Sequence, residues 1–310
     1  MTWHNQTTFN EFILLGFSNL GQFQVLLFIV FLIVYLLTVM GNFLIIFLVI
    51  IDPTLHSPMY FFLQNLSFAE VGFVSNIVPM MLVNLLSEKK TISFLGCRAQ
   101  IYFVFFFGTM ECYILTVMAY DRFVAICNPL RYTVVMNRNV CVLLVIVGWT
   151  LGVCVGIIHS AWVLGFPFCR SNTLFHFFCD VPPILPLACA DTYRFKLFSL
   201  IITFLAVLCP FLLILISYIH IVHTILRMTS VEGRRKAFST CSSHIIVVTL
   251  FYSSVSLTHI RVKTFSSTGN KHLLSLSYIV FTPMLNPIIY SLRNKEVRGA
   301  LSRLIRKKIS

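Results

Sequence analysis

The sequence predicts an all-α membrane protein: a seven-transmembrane helix bundle followed by a short amphipathic helix on the cytoplasmic side. Three observations predict it. The 310-residue chain is 58% hydrophobic and only 11% charged, with a mean hydropathy of +0.90, whereas soluble chains carry about 25% charged residues. Its apolar residues fall in seven long stretches, each near the roughly 20 residues that a membrane helix needs. These stretches do not break into the short alternating segments of a membrane barrel. Helices are then the spanning structure that satisfies every backbone group.

The predicted spans are 23–50, 58–84, 98–121, 140–164, 197–226, 237–260 and 272–292. The first is long and lacks a positive segment before it, so it reads as an uncleaved insertion signal rather than a cleaved leader. The second carries Glu70 and Pro79, and the third closes on Asp121-Arg122. The fifth and seventh contain Pro210 and Pro287, each of which frees a carbonyl and predicts a kink. The sixth is rich in Ser and Thr. Residues 1–22 form an extracellular tail, 23–292 the bundle and 293–310 a cytoplasmic tail, in one domain of 1–310.

Orientation comes from charge. Fourteen of the 23 Lys and Arg fall on one side: Arg122, Arg131, Arg138, Arg227, Arg234, Arg235, Lys236 and seven from Arg293 onward. The first 22 residues hold none. The positive-inside rule then puts the amino terminus of this multi-pass chain outside. The charge of +13 follows the span ends, so nucleic acid is not a partner. Asn5 opens a glycosylation sequon on the outer side, whereas the Asn65 sequon lies within a span.

The tail is a helix by periodicity. Val297, Leu301, Leu304 and Ile305 share one face and basic residues fill the rest, which predicts a contact with inner-leaflet lipids. Outside, Cys97, Cys169, Cys179 and Cys189 can form two bridges in three pairings. His176 and Cys179 also have metal-ligand spacing, which a bridge at Cys179 would abolish.

Polar residues at membrane depth face a bundle interior. Asn42, Glu70, Glu111 and Asn286 do so on four spans. Two neighbouring carboxyls cannot both ionise cheaply. Glu70 and Glu111 therefore read as a proton or small monovalent cation site, with sodium the expected ion and no other cofactor; the alternative is two neutral carboxyls bonded to Ser, Asn or backbone. Glu111 lies roughly 16 Å deeper than Arg122 on the same face of span three. Asp121-Arg122 itself reads as either an anchor or a switch. No nucleophile–base set, metal cage or phosphate loop is present, so an enzyme is not expected.

Read together, the motifs resemble a family. Gly41-Asn42, Pro58-Met59-Tyr60-Phe61-Phe62-Leu63, Leu66-Ser67-Phe68-Ala69-Glu70 and the run Met118–Cys127 come in order. Ser217-Tyr218, the run Lys236–His244 and the run Pro283–Asn294 follow, each on its own span. The chain resembles a rhodopsin-like G-protein-coupled receptor and, within that group, an olfactory receptor. His176-Phe177-Phe178-Cys179-Asp180 and Leu187-Ala188-Cys189 resemble its tetrapod-type class.

The resemblance implies a place in the plasma membrane, an odorant partner and a stimulatory G protein of the Gs/Golf type that raises cAMP. It implies that Arg122 meets the G protein, that Asp121 holds it at rest, and that Tyr218 and Tyr290 rearrange towards it. It pairs Cys97 with Cys179 and Cys169 with Cys189. It places the ligand among Val104, Phe105, Gly108 and Thr109 of span three, Ile202, Thr203 and Ala206 of span five, and Tyr252, Val255, Ser256 and His259 of span six. That lining predicts a small, uncharged, lipophilic ligand. Val104 stands where amine receptors carry an aspartate, which disfavours an amine. Phe123 replaces the tyrosine usual after the Asp-Arg pair. A rhodopsin-like receptor for another small ligand is the nearest alternative. A transporter or channel would need repeated halves or pore charges, and neither is visible in the sequence.

Overall fold

A computed structural model describes residues 10–16, 23–169, 171–264 and 277–309; within them the side chains of 236, 240, 257–264, 277–278, 291–293, 295 and 307–309 are not described. The helices are α1 (Gln24–Ile51), α2 (Pro58–Leu86), α3 (Phe94–Cys127), α4 (Arg138–Val163), α5 (Tyr193–Arg227), α6 (Val231–Thr264), α7 (Thr282–Arg293) and α8 (Lys295–Ile309). The first six are long and apolar enough to cross a membrane, and the apolar stretch Ile279–Tyr290 supplies a shorter seventh. Together they form the expected seven-helix bundle.

Helix ends depart from the predicted spans for one physical reason. Hydropathy marks only the apolar part of a helix, and the backbone stays helical beyond it. So α3 continues to Cys127 past the predicted 121, and α6 begins at Val231 rather than 237. The predicted start of the seventh span, 272–276, lies outside the described residues.

Proline acts differently on different helices. Pro79 and Pro287 sit inside α2 and α7. Before Pro210, α5 widens into a π-helical turn over Phe204–Leu208. The extra residue of such a turn accommodates the missing amide donor, and π turns recur at functional sites.

α3 is the central strut, packed against α2, α4 and α5. Its approach to α4 depends on Gly148, Gly152 and Gly156, spaced four apart on one face. A Cβ on Gly152 would lie 2.7 Å from the Phe106 carbonyl oxygen, and one on Gly156 would lie 2.8 Å from that of Tyr102. Without a hydrophobic drive between helices in lipid, such close backbone contact is what holds them. Next to Gly148, Trp149 donates to Asn65 at 3.2 Å and packs edge-on to Phe68.

One end of the bundle carries both disulfides and a small sheet. Strand β1 (Glu11–Leu14) pairs antiparallel with β2 (Thr91–Ser93) and parallel with β3 (Thr173–Leu174). Phe12 is fully buried beneath it and meets Phe168 edge-on at 5.8 Å. Part of the predicted tail is therefore a structural strand.

The opposite end carries Asp121-Arg122 and α8. Asn294 caps α8 by accepting the Glu296 amide at 3.0 Å. Val297 and Ala300 are buried, and Leu301 and Leu304 pack beside them, while Ile305 faces outward. The predicted apolar face is thus the docked face along most of its length. Two polar clamps fix the helix. The Tyr60 hydroxyl donates to Glu296 at 2.6 Å. The Arg303 guanidinium forks onto one Asp52 oxygen at 3.0 and 2.8 Å and reaches Thr54 at 2.8 Å. Hydrogen bonds from Thr54 and then Arg303 hold the Asp52 carboxyl below its ordinary range.

Candidate functional site

Midway along the bundle, four helices contribute one polar cluster. Asn42 from α1 donates to the Thr38 carbonyl at 3.1 Å and the Pro283 carbonyl at 3.4 Å. The Asn286 amide from α7 donates to Glu70 on α2. Glu111 on α3 completes the set, within electrostatic reach of Glu70. All four side chains are buried. One oxygen on each has no hydrogen-bond partner: Asn42 Oδ1, Glu70 Oε2, Glu111 Oε1 and Asn286 Oδ1. An all-oxygen donor set suits a hard cation, and two acids supply too little charge for a high-affinity divalent cage. No cluster of three or more His, Cys, Asp or Glu exists among the described residues. The residues present therefore fit a proton or a small monovalent cation.

At the end away from the disulfides, Asp121 is fully buried. Arg122 Nε stands 3.7 Å from its Oδ2, a loose ion pair. The tighter partner is Tyr132, on the turn Tyr132–Val135, whose hydroxyl donates to Asp121 Oδ1 at 2.9 Å. Burial and then the Asp121 carboxylate push the Tyr132 phenol above its ordinary range, which keeps it a donor.

Tyr218 on α5 does not bond Arg122; its hydroxyl lies 2.6 Å from His244 Nδ1 on α6. Tyr290 on α7 is buried with its hydroxyl unpartnered. Both tyrosines and His244 lie within electrostatic reach of the Arg122 guanidinium. The structure thus gathers Asp121, Arg122, Tyr218 and Tyr290 at one end, and adds Tyr132 and His244. Phe123 packs onto a satellite cluster of Ile221, Ile225 and Cys241, with the His220 ring 5.9 Å away.

Towards the disulfide end the predicted ligand residues spread over three helices. Tyr252 is buried against Phe211 at 4.8 Å and Phe251 at 5.2 Å, and Val255 is buried a turn further on. Ser256 is exposed, and the His259 side chain lies outside the described residues. Ile202 and Thr203 are half-buried just ahead of the π turn of α5, and Ala206 is half-buried within it. Val104, Gly108 and Thr109 are half-buried on α3, with Val104 against the main core. Phe105 stacks on His159 of α4 at 3.9 Å, a partner that spacing alone did not indicate. A cavity of about 610 Å³ opens beside this region, between α2 and α3; it is lined by Phe103, Phe107, Asn76 and Gln100 rather than by the predicted positions.

The bridges Cys97–Cys179 and Cys169–Cys189 are formed, with Cα separations of 5.3 and 5.9 Å. Bridging removes Cys179 as a metal ligand. Gln100 Oε1 accepts the Cys179 amide at 2.8 Å and ties the loop to α3. Next to it, Asp180 accepts the Val181 amide at 2.8 Å, and burial pushes its carboxyl up to about 6. Cys112, Cys127, Cys141, Cys154, Cys209 and Cys241 are free thiols. Asn5 lies outside the described residues.

The sequence has relatives over its whole length. A family model described as "Olfactory receptor" matches residues 31–308. Human olfactory receptor 10A7 is 55% identical over 309 residues, covering 100% of this chain and 98% of its own. Human olfactory receptor 10A2 is 55% identical over 297 residues, covering 96% and 98%. Human olfactory receptor 10A5 is 55% identical over 304 residues, covering 98% and 96%.

Proposed function

Because the chain belongs to the olfactory receptor family, and is thus a multi-pass receptor rather than an enzyme, we propose that it binds small uncharged lipophilic volatiles between α3, α5 and α6 and activates a stimulatory, Gs/Golf-type G protein. The amino terminus and both disulfides lie outside the plasma membrane, and Arg122 faces the cytoplasm. The observation that carries this reading is the spatial division of the bundle. The predicted ligand residues of α3, α5 and α6 lie towards the disulfide end, and Asp121, Arg122, Tyr218 and Tyr290 gather at the other.

Mechanistically the activity is a population shift: a ligand activates only if it binds the active bundle better than the resting one. In the resting arrangement the Tyr132 bond holds the Asp121 carboxylate, and the Tyr218–His244 bond ties α5 to α6. Movement of α6 breaks the second bond and frees Tyr218 to turn towards Arg122. Glu70 and Glu111 could ionise together with a sodium ion between them, which would supply the compensating positive charge. Asn42, Glu70, Glu111 and Asn286 would hold it with the oxygens that lack partners, and would thereby favour the resting packing of α2, α3 and α7.

The test is a panel of neutral volatiles applied to cells expressing the receptor, with cAMP as readout. Dose-dependent cAMP that Arg122→Ala abolishes at equal surface expression is the expected result. Full signalling by Arg122→Ala would overturn the coupling role, and a response confined to amines would overturn the ligand class.

A further inference from the structure

His159 lies within a turn of the disulfide end of α4, and its ring has no accessible surface. One face stacks on Phe105 of α3, 3.9 Å between centroids and 14° from parallel. Phe195 and Phe198 of α5 flank it at 6.1 and 5.8 Å. Trp162 closes over both of those rings, at 5.5 and 5.1 Å. Full burial with no counter-ion among these rings makes the neutral imidazole the cheaper form.

The hydrogen bonding then sets the tautomer. His159 Nδ1 lies 3.0 Å from the Val155 carbonyl oxygen. A carbonyl only accepts, so Nδ1 carries the proton and Nε2 is left as an acceptor. Nε2 is buried and has no partner. A buried acceptor without a donor is costly, and whatever brings a donor to it is favoured.

We propose that His159 Nε2 is the specificity-determining hydrogen-bond acceptor for ligands that carry a hydroxyl, namely lipophilic alcohols and phenols. The assignment rests on the odorant-receptor reading and deepens it. Ethers and ketones of the same shape bring only lone pairs, which repel the bare nitrogen, so the site discriminates on donor capacity as well as on size. Because the ring is sealed, a hydroxyl reaches Nε2 only when one wall of the cage parts. Phe195 and Phe198 form the wall on α5, just ahead of the π turn at Phe204–Leu208. A hydroxyl ligand therefore selects a parted position of α5.

The experiment compares alcohols and phenols with their methyl ethers and ketones, skeleton by skeleton, on cells expressing wild type, His159→Phe and His159→Gln at matched surface levels. The expected result is that wild type responds to the hydroxyl compounds at concentrations at least about tenfold lower. His159→Phe loses that advantage and keeps its ether responses, and His159→Gln retains part of it. Equal or better wild-type response to ethers and ketones overturns the assignment but leaves the odorant reading standing. So does an undiminished hydroxyl preference in His159→Phe. Silence of wild type to every volatile overturns both. If His159→Phe does not reach the surface, the wild-type comparison alone decides.

Discussion

The Tyr132 hydroxyl donates to Asp121 Oδ1 at 2.9 Å, whereas the neighbouring Arg122 Nε stands 3.7 Å from the other carboxylate oxygen. The buried carboxylate is therefore held more firmly by the turn after α3 than by the arginine beside it. Hydrogen bonds to charged groups contribute about 1.5–3 kcal/mol each, and the 3.7 Å approach of Arg122 Nε is too long to be one. If Asp121 holds Arg122 at rest as proposed, that restraint is shared with Tyr132.

Tyr132→Phe keeps the ring and removes only that bond. The expected outcome is higher ligand-independent cAMP at equal surface expression, from a shift of the resting equilibrium of about tenfold. Unchanged basal signalling in the variant would show that Arg122 alone restrains the site.

Much of the bundle is legible in the sequence because burial in lipid imposes a simple rule. Long apolar runs give α1 to α6 within a few residues, and the spacing of Val297, Leu301 and Leu304 gives α8. The positions of the mid-bundle acids and of Asp121-Arg122 follow from the cost of charge at depth. Features that depend on a partner elsewhere in the chain are not legible. Glu11–Leu14 is too short to read as a strand before Thr91–Ser93 and Thr173–Leu174 are brought beside it. The glycines of α4 acquire meaning only against the Phe106 and Tyr102 carbonyls. His159 and His244 did carry a signal, since each is an imidazole inside an apolar span; their roles required the neighbours.

Gly152→Ala tests the α3–α4 contact. The added methyl would meet backbone oxygen rather than a flexible side-chain tip, so the helices must separate. Overpacking of this kind costs about 1–3 kcal/mol. Surface expression and the melting temperature in detergent should both fall, and a wild-type melting temperature would refute the close-contact role. Gly299→Ala, whose methyl would meet only the end of the Arg303 side chain, is the control and should change neither.

Glu111→Gln tests the ion. The substitution preserves shape and hydrogen-bonding capacity while removing one negative charge. If sodium stabilises the resting bundle through Glu70 and Glu111, raising sodium at constant ionic strength shifts wild-type odorant dose-response curves to higher concentration. The Glu111→Gln curves should not move. A sodium effect of equal size in both proteins would remove the ion from the mechanism.

Asp180 gives a pH dependence whose sign is fixed. Its carboxyl sits at about 6 in the folded protein against 3.8 for the free group, and burial is the cause. The folded form thus binds the proton more tightly than the unfolded one. Stability is full below about pH 4, falls as pH rises through about 6, and levels off above it. The difference amounts to at most about 3 kcal/mol. Asp180→Asn keeps an oxygen to accept the Val181 amide, as a helix cap requires, but has no proton to lose. Melting temperatures of the two proteins, measured from pH 4 to 7, should coincide at the acid end and diverge above it, with the variant the more stable. Parallel curves would mean that the Asp180 carboxylate is solvated and that this loop is not a source of pH sensitivity.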